Sequence, residues 1–267
     1  MPGVVSGIFT RLVILSGRKF SASSSCLNVN IILFHPAEVE LPLSGNDARS
    51  RHILTVLKRG AGDSFDAGLV NGPRGKATLE AIGADGALHL SFAWGAEPAP
   101  LAPIRLLVGL PRPQTARDIL REGASLGIEA MEFVRTERGE PSYAQSSLWS
   151  SREWETLLTT GAAQAFCTRL PVVRHGHTLA EALAAPAQGA RLALDNYEAS
   201  QPLSRVGLPA GAQVTIAIGS ERGWTATERD LLLRRGFLFV HLGERVLRTE
   251  TACVAAISLL RAKLGLS

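Results

Sequence analysis

Three short stretches in the carboxyl-terminal third combine the residue types of a small-molecule site. They are Leu194-Asp195-Asn196, the run Ile218-Gly219-Ser220-Glu221-Arg222-Gly223, and the run from Leu242 and Gly243 through Arg245, Val246, Leu247 and Arg248 to Thr251. Glycines in such places let backbone amides approach a ligand closely. A helix opening near Thr249 would offer unpaired N–H groups to an anion or to an acceptor atom of an adenine. Glu221 and Glu250 add acceptors, and Arg222, Arg245 and Arg248 add planar donors suited to carboxylate or phosphate. Other chemistries lack their residues: there is no G-x-x-x-x-G-K-[ST] loop, no G-x-G-x-x-G after a strand and no G-x-S-x-G elbow. His175 and His177 flank Gly176 just after a predicted strand, and two histidines alone make a poor metal site. Trp149 and Trp154 are expected on one helix with Leu157 and Leu158, as a packing stripe rather than a base-stacking platform.

The elements that must position these loops follow from periodicity and punctuation. Ile104–Leu110 is a continuous apolar run, as in a strand buried on both faces. Thr115–Leu126 is helix-like, with Gly127 at its stop, and Ile128–Val134 is a second strand. Ser150 and Glu153 have the spacing of a capping box, predicting a helix to about Phe166. Pro171–Val173 is a short strand, Thr178–Ala185 a short helix, and Ala190–Leu194 and Val214–Ile218 are further strands. Thr225 and Glu228 repeat the capping-box spacing for a helix to Arg235, followed by a strand over Phe237–Leu242 and a last helix over Thr249–Lys263. Strands alternating with helices predict an α/β domain over residues 104–267 with a mostly parallel sheet, its ligands beyond the carboxyl ends of the strands. Upstream, Ile31–Phe34, Lys76–Ile82 and Ala87–Phe92 are short apolar or alternating runs bracketed by turn residues. They predict a small antiparallel sheet or barrel over residues 29–97. Three prolines between Gly95 and Pro103 predict a stiff linker, placed over residues 98–103.

The chain has 267 residues, 46% hydrophobic and 19% charged, a composition that excludes intrinsic disorder. Cys26, Cys167 and Cys253 lie too far apart for a zinc template or a disulfide framework, so a reducing cytoplasm is expected. No apolar run approaches the ~20 residues that span a bilayer. The net charge is +4, but Arg11, Arg18 and Lys19 fall in the first 30 residues, which hold no acid. The body is therefore near neutral, and net charge alone makes no case for nucleic acid. Two local clusters remain: Arg49, Arg51, His52, Lys58 and Arg59, and a second from Arg222 to Arg248. Either is an ordinary solvated face or a phosphate contact surface. Residues 1–28, rich in serine, have the composition of a transit peptide or of a start codon assigned too early, and are expected to attach loosely.

The carboxyl-terminal run resembles a known signature. Gly243, Arg245, Val246, Leu247, Arg248, Thr249, Glu250, Thr251 and Ala252 match, position by position, the L-G-x-R-[IV]-L-R-T-E-T-A motif of the RsmE-type ribosomal RNA uridine-N3 methyltransferases of the SPOUT superfamily. Gly219, Glu221 and Gly223 match its G-P-E-G-G loop, with Arg222 in place of a glycine. Gly123–Gly127, Ala163-Gln164 with Arg169–Pro171, and Arg51-His52 through Lys58 to Gly62-Asp63 resemble upstream elements. Glu122, Ser125 and Cys167 depart from the usual Lys, Glu and Arg.

The resemblance implies a PUA-like RNA-binding β-barrel before a methyltransferase domain with a deep trefoil knot, and an obligate homodimer. It implies methyl transfer from S-adenosylmethionine to N3 of a uridine in small-subunit (16S) ribosomal RNA, without metal or membrane. Another RNA position, or an RNA-binding homologue without catalysis, stays open at this point. The implied cofactor residues are Leu194, Asn196, Ile218, Gly219, Ser220, Glu221, Gly223, Leu242, Gly243, Val246, Leu247, Thr249 and Thr251. Arg248, Arg245 and Glu250 are expected to act on the uracil or its phosphate. Arg49, Arg51, His52, Lys58, Arg59 and Arg222 are expected to meet RNA.

Overall fold

The computed structural model describes residues 31–184 and 188–266, so the amino-terminal extension expected over residues 1–28 lies outside the described residues. The first unit is a four-stranded sheet in the order β1-β2-β3-β4: β1 (Ile32–Phe34), β2 (Ser64–Leu69), β3 (Arg74–Ile82) and β4 (Leu88–Trp94). The first pair is parallel and the other two antiparallel. A single bridge, Leu43 to Leu88, ties the segment after β1 to β4. Between β1 and β2, α1 (Ala48–Arg51) is capped by Asp47, whose carboxylate accepts the Arg49 N–H, and continues into a wider helical turn over His52–Val56. Phe34, Ile53, Phe65, Leu79 and Leu88 are buried together under this sheet.

The second unit is a seven-stranded sheet, β7-β6-β5-β10-β8-β11-β9, in which every pairing is parallel. Its strands are β5 (Ala102–Gly109), β6 (Ile128–Arg135), β7 (Val172–Thr178), β8 (Ala190–Leu194), β9 (Gln201–Pro202), β10 (Val214–Ile218) and β11 (Leu238–His241). The helices are α2 (Pro113–Ser125), α3 (Ser147–Ser150), α4 (Glu153–Gln164), α5 (Leu179–Ala182), α6 (Ala226–Arg234) and α7 (Thr249–Lys263). The continuous apolar runs have a simple cause. Side chains of a strand point alternately to opposite faces, and both faces are covered. Ile104, Leu106, Val108, Ile216 and Val240 pack under α2, α3, α4 and α7. Leu107, Ala193, Ala217 and Phe239 pack under α5 and α6.

Local differences from the sequence reading have local reasons. Ser150 ends α3 instead of opening a helix; Arg152, left-handed at φ 59°, separates it from α4. Trp149 and Trp154 thus stand on different helices, and Trp149 packs 5.0 Å from the Phe133 ring. The strand expected to stop at Val173 runs on through His175 and His177, because it pairs with β6 as far as Thr178. The linker ends earlier than expected, since Ala102 and Pro103 already belong to β5. Pro103 lacks an N–H, and the β5–β6 register is irregular between Ala102 and Arg105.

The two units are joined through the segment after α4. Thr168, fully buried, donates its hydroxyl to Gly72 O at 2.5 Å and accepts the Asn71 N–H on its carbonyl at 2.7 Å. The Asn71 side chain in turn accepts the Leu170 N–H at 2.9 Å. Asn71 and Phe166 are both left-handed, and a Cβ on Gly68 would collide with Thr168. Ile31, Leu33 and Ala162 seal the contact.

Candidate active site

Parallel register brings the three chemistry-bearing stretches together. Ile218 pairs with Leu194 and Leu194 with Val240, so the chain leaves β10, β8 and β11 at one edge of the sheet. The loops are then fastened to one another. Trp224, buried behind the glycine turn, donates its indole N–H to Leu194 O at 3.2 Å. Asp195, its side chain 3% exposed, accepts the N–H groups of Tyr197 (2.8 Å) and Glu198 (2.7 Å) and pairs with Arg229 Nε of α6 at 2.7 Å. The Arg229 guanidinium also lies 5.3 Å over the Tyr197 ring.

The turn after β10 closes on itself. Gly223 is left-handed at φ 65° and donates to Ser220 O, and a Cβ on Gly219 would lie 2.9 Å from Gly223 Cα. Arg222, where the motif it resembles has a glycine, is not left-handed, so this departure falls where no glycine is demanded. Gly109, at the end of β5, lets Ser220 approach: a Cβ there would lie 2.5 Å from Ser220 N. Glu221 accepts the Arg112 N–H at 3.0 Å, and Arg138 donates to Arg222 O at 3.2 Å. The Ser220 hydroxyl is buried with no partner among the described residues.

In the third loop, the Gly243 N–H donates to His241 Nδ1 at 3.1 Å. Arg245, Val246 and Arg248 are exposed, Val246 to 79%. α7 starts at Thr249 with Arg248 as its cap residue, and no side chain of that residue takes the first-turn N–H groups. Thr249 is buried, Glu250 half-buried and Thr251 exposed. The expected cofactor residues are thus gathered on three adjoining loops, with the expected catalytic side chains on the last.

The basic cluster of the first unit divides in two. Arg49 is bound internally, pairing with Glu38 (2.7 Å) and Asp47 (2.8 Å), donating to Leu33 O, and lying over the Phe34 ring. Its guanidinium holds both carboxyls below the usual carboxylate range, and they push its own pKa up. Arg51, Lys58 and Arg59 are exposed and His52 is half-buried. Among the described residues, no group of three or more His, Cys, Asp or Glu is placed to hold a metal ion. His175 stacks 4.6 Å from Trp149 instead, and burial lowers its pKa.

Several residues that shape these loops had escaped the sequence reading: Gly109, Arg112, Thr136, Arg138 and Trp224. Their common signal was position, each lying at or just beyond a strand end or in the first turns of the helix that follows. A cavity of about 520 Å³ adjoins the glycine turn on the β6 side, lined by Leu110, by residues 135–137 and 139–141 and by Leu231 among others. It is beside the three loops, not among them.

Comparison with known proteins agrees with this geometry. The pattern described as "RNA methyltransferase domain" matches residues 97–261. The ribosomal RNA small subunit methyltransferase E of Treponema pallidum is 38% identical over 248 residues, 88% of this chain and 91% of that protein. The chain belongs to the ribosomal RNA small subunit methyltransferase E family. Among solved structures, a probable rRNA-methyltransferase from Porphyromonas gingivalis superposes with a TM-score of 0.74 at 22% identity, covering 88% of this chain and 99% of that one. The methyltransferase E of Neisseria gonorrhoeae bound to S-adenosyl methionine gives 0.67 at 24% identity, over 87% and 97%. At these identities the likeness is one of fold, and it extends through both units. The family's signature run coincides with the loop from β11 into α7, and its glycine loop with the turn after β10.

Proposed function

We propose that this protein methylates small-subunit ribosomal RNA at N3 of a uridine, using S-adenosylmethionine. The observation that carries the proposal is the convergence of the three loops on the parallel strand ends. The donor set fits the cofactor. Main-chain groups of the turn at Gly219 to Gly223 and of the chain from Leu242 to Leu247 suit an adenosine, as do the first-turn amides of Thr249 and Thr251. The orphaned Ser220 hydroxyl is a ready hydrogen-bond group. Leu194, Asn196, Ile218, Glu221, Gly243 and Val246 complete the residues that would hold it. When bound, the sulfonium supplies an electrophilic methyl group, and the protein's part is position and charge.

Uracil N3 carries a proton at neutral pH, so its attack needs that proton removed or the developing anion stabilised. Arg248 and Arg245, exposed beside the α7 start, supply cationic donors to the uracil oxygens or to a phosphate. Glu250 accepts a hydrogen bond or orients an arginine. Arg51, His52, Lys58 and Arg59 offer the first unit's RNA contacts, with Arg49 bracing the helix that carries the first two, and Arg222 adds a cation at the glycine turn. We further assign the first unit as a PUA-like barrel and the crossings around β8, β10 and β11 as a trefoil knot. The working form is a homodimer in the cytoplasm.

Incubating unmodified small ribosomal subunits with protein and cofactor, then mapping the modified nucleotide, tests the reading. A methyl at uridine N3 is expected; a methyl elsewhere redirects it to another position, and none at all refutes it. Arg248→Ala should lower turnover about 100-fold or more while calorimetry shows cofactor affinity retained. Undiminished turnover would remove Arg248 from the chemistry.

A further inference from the structure

The cavity beside the glycine turn is assigned no role by the signature run. It opens between the carboxyl ends of β5 and β6, α5 and the first turns of α6, and none of the expected cofactor residues lines it. At about 520 Å³ it is within the roughly 300–1,000 Å³ of pockets that enclose a small organic group. Leu110, Pro141, Ala144, Leu179 and Leu231 give it apolar walls.

Its polar features are few and specific. The Thr136 hydroxyl is buried and has no partner among the described residues. Gly139 keeps space around it, since a Cβ at Gly139 would lie 3.0 Å from that oxygen. Glu228 is fixed as a wall, one carboxylate oxygen accepting the Glu137 N–H and the other the Thr225 N–H, each at 2.9 Å. Glu137, Glu140 and Glu228 outnumber Arg135 in the lining. A phosphate is repelled by such a lining; a neutral ring bearing N–H donors is not. Outside, the exposed Arg138 and Arg222 are tied together where the cavity meets the glycine turn, through the bond from Arg138 to Arg222 O. Thr136 also forms the partition: its methyl and Ser220 N both crowd the place where a Gly109 Cβ would be.

We propose that this cavity receives an unpaired base next to the one that is methylated, swung out of its strand, with the adjoining phosphate held outside by Arg138 and Arg222. Opening the strand so that one base reaches the cofactor loops unstacks its neighbours, and a shaped pocket beside those loops gives one of them a place. Apolar walls replace lost stacking, the Thr136 hydroxyl gains a partner, and the carboxylates accept from ring or amino N–H groups. The inference rests on the RNA methyltransferase reading above.

Two experiments on the full chain test it. Small-subunit RNA fragments with 4-thiouridine at either position flanking the methylated one are irradiated with the wild-type protein. Crosslinks are expected in the peptides 135–144 or 179–180; crosslinks confined to other peptides overturn the proposal. This arm reads the cavity whether or not the wild type methylates the RNA, so failure of the functional reading is seen separately. In the second, Ala180→Trp places an indole at the mouth, from an exposed position, and Thr136→Val removes the hydroxyl while keeping the shape. Both should raise KM for RNA about tenfold or more with cofactor affinity unchanged by calorimetry. Thr136→Val should leave the thermal midpoint level or higher, which loss of a structural hydrogen bond would not do. Unchanged KM in both variants, or equal loss of cofactor affinity, overturns the assignment.

Discussion

Single atoms decide much of this site. Ser220 reaches its place because residue 109 has no side chain, and a methyl there must displace the glycine turn or the end of β5. Gly109→Ala is expected to cost about 1–3 kcal/mol of stability, read by denaturant titration, and to weaken cofactor binding by calorimetry. A second residue-scale effect is set by His175. Partial desolvation beside the Trp149 ring, followed by the neighbouring His177, lowers its pKa below the ordinary 6.5. The unfolded chain therefore takes up this proton first as the pH falls, and stability declines below about pH 6.5. His175→Phe should flatten that part of the stability curve between pH 7 and 5; an unaltered slope would assign it to other groups.

The loop after β8 behaves as one fastened element. It holds Asn196 only as well as Asp195 and Arg229 hold the loop, and that ion pair is almost out of water on both sides, 3% and 12% exposed. Removing one partner strands the other charge. Arg229→Ala is expected to destabilise the protein by about 3 kcal/mol and to raise the dissociation constant for S-adenosylmethionine, with Arg229→Lys recovering part of both. Helix starts were legible beforehand where the cap chemistry is local. Thr225 accepts from Glu228 N while Glu228 reaches back to Thr225 N. The same spacing at Ser150 and Glu153 failed because a left-handed Arg152 intervenes, and no spacing rule registers it. Glu228 has a further duty that spacing does not reveal, since its other oxygen is taken by Glu137 on a distant loop.

At the scale of the molecule, the two units share a short polar seam. Thr168 is buried at its centre, and its hydroxyl cannot turn to water if Gly72 O is lost. Thr168→Val should cost about 1–3 kcal/mol and let limited proteolysis cut the linker near Pro98 sooner, while cofactor binding to the second unit persists. The seam fixes the basic helix of the first unit relative to the loops of the second. That relation matters if both touch one RNA. Cys167, where an arginine is usual, sits in this seam and not at the chemistry, its thiol near Arg169 O at 3.8 Å.

By itself the sequence determined the alternation of strands and helices, the last helix over Thr249–Lys263 and the three polar loops, two of which carry the signature. These depend on neighbours a few residues apart: apolar runs, caps and glycines. Only the tertiary structure decided that β10 lies between β5 and β8, that Gly109 and Trp224 serve the glycine turn, that Arg49 is occupied internally, and that a cavity adjoins the site. Each of those depends on contacts between residues far apart in the chain, which come together only through the order of strands in the sheet. Spacing along the chain carries no record of that order.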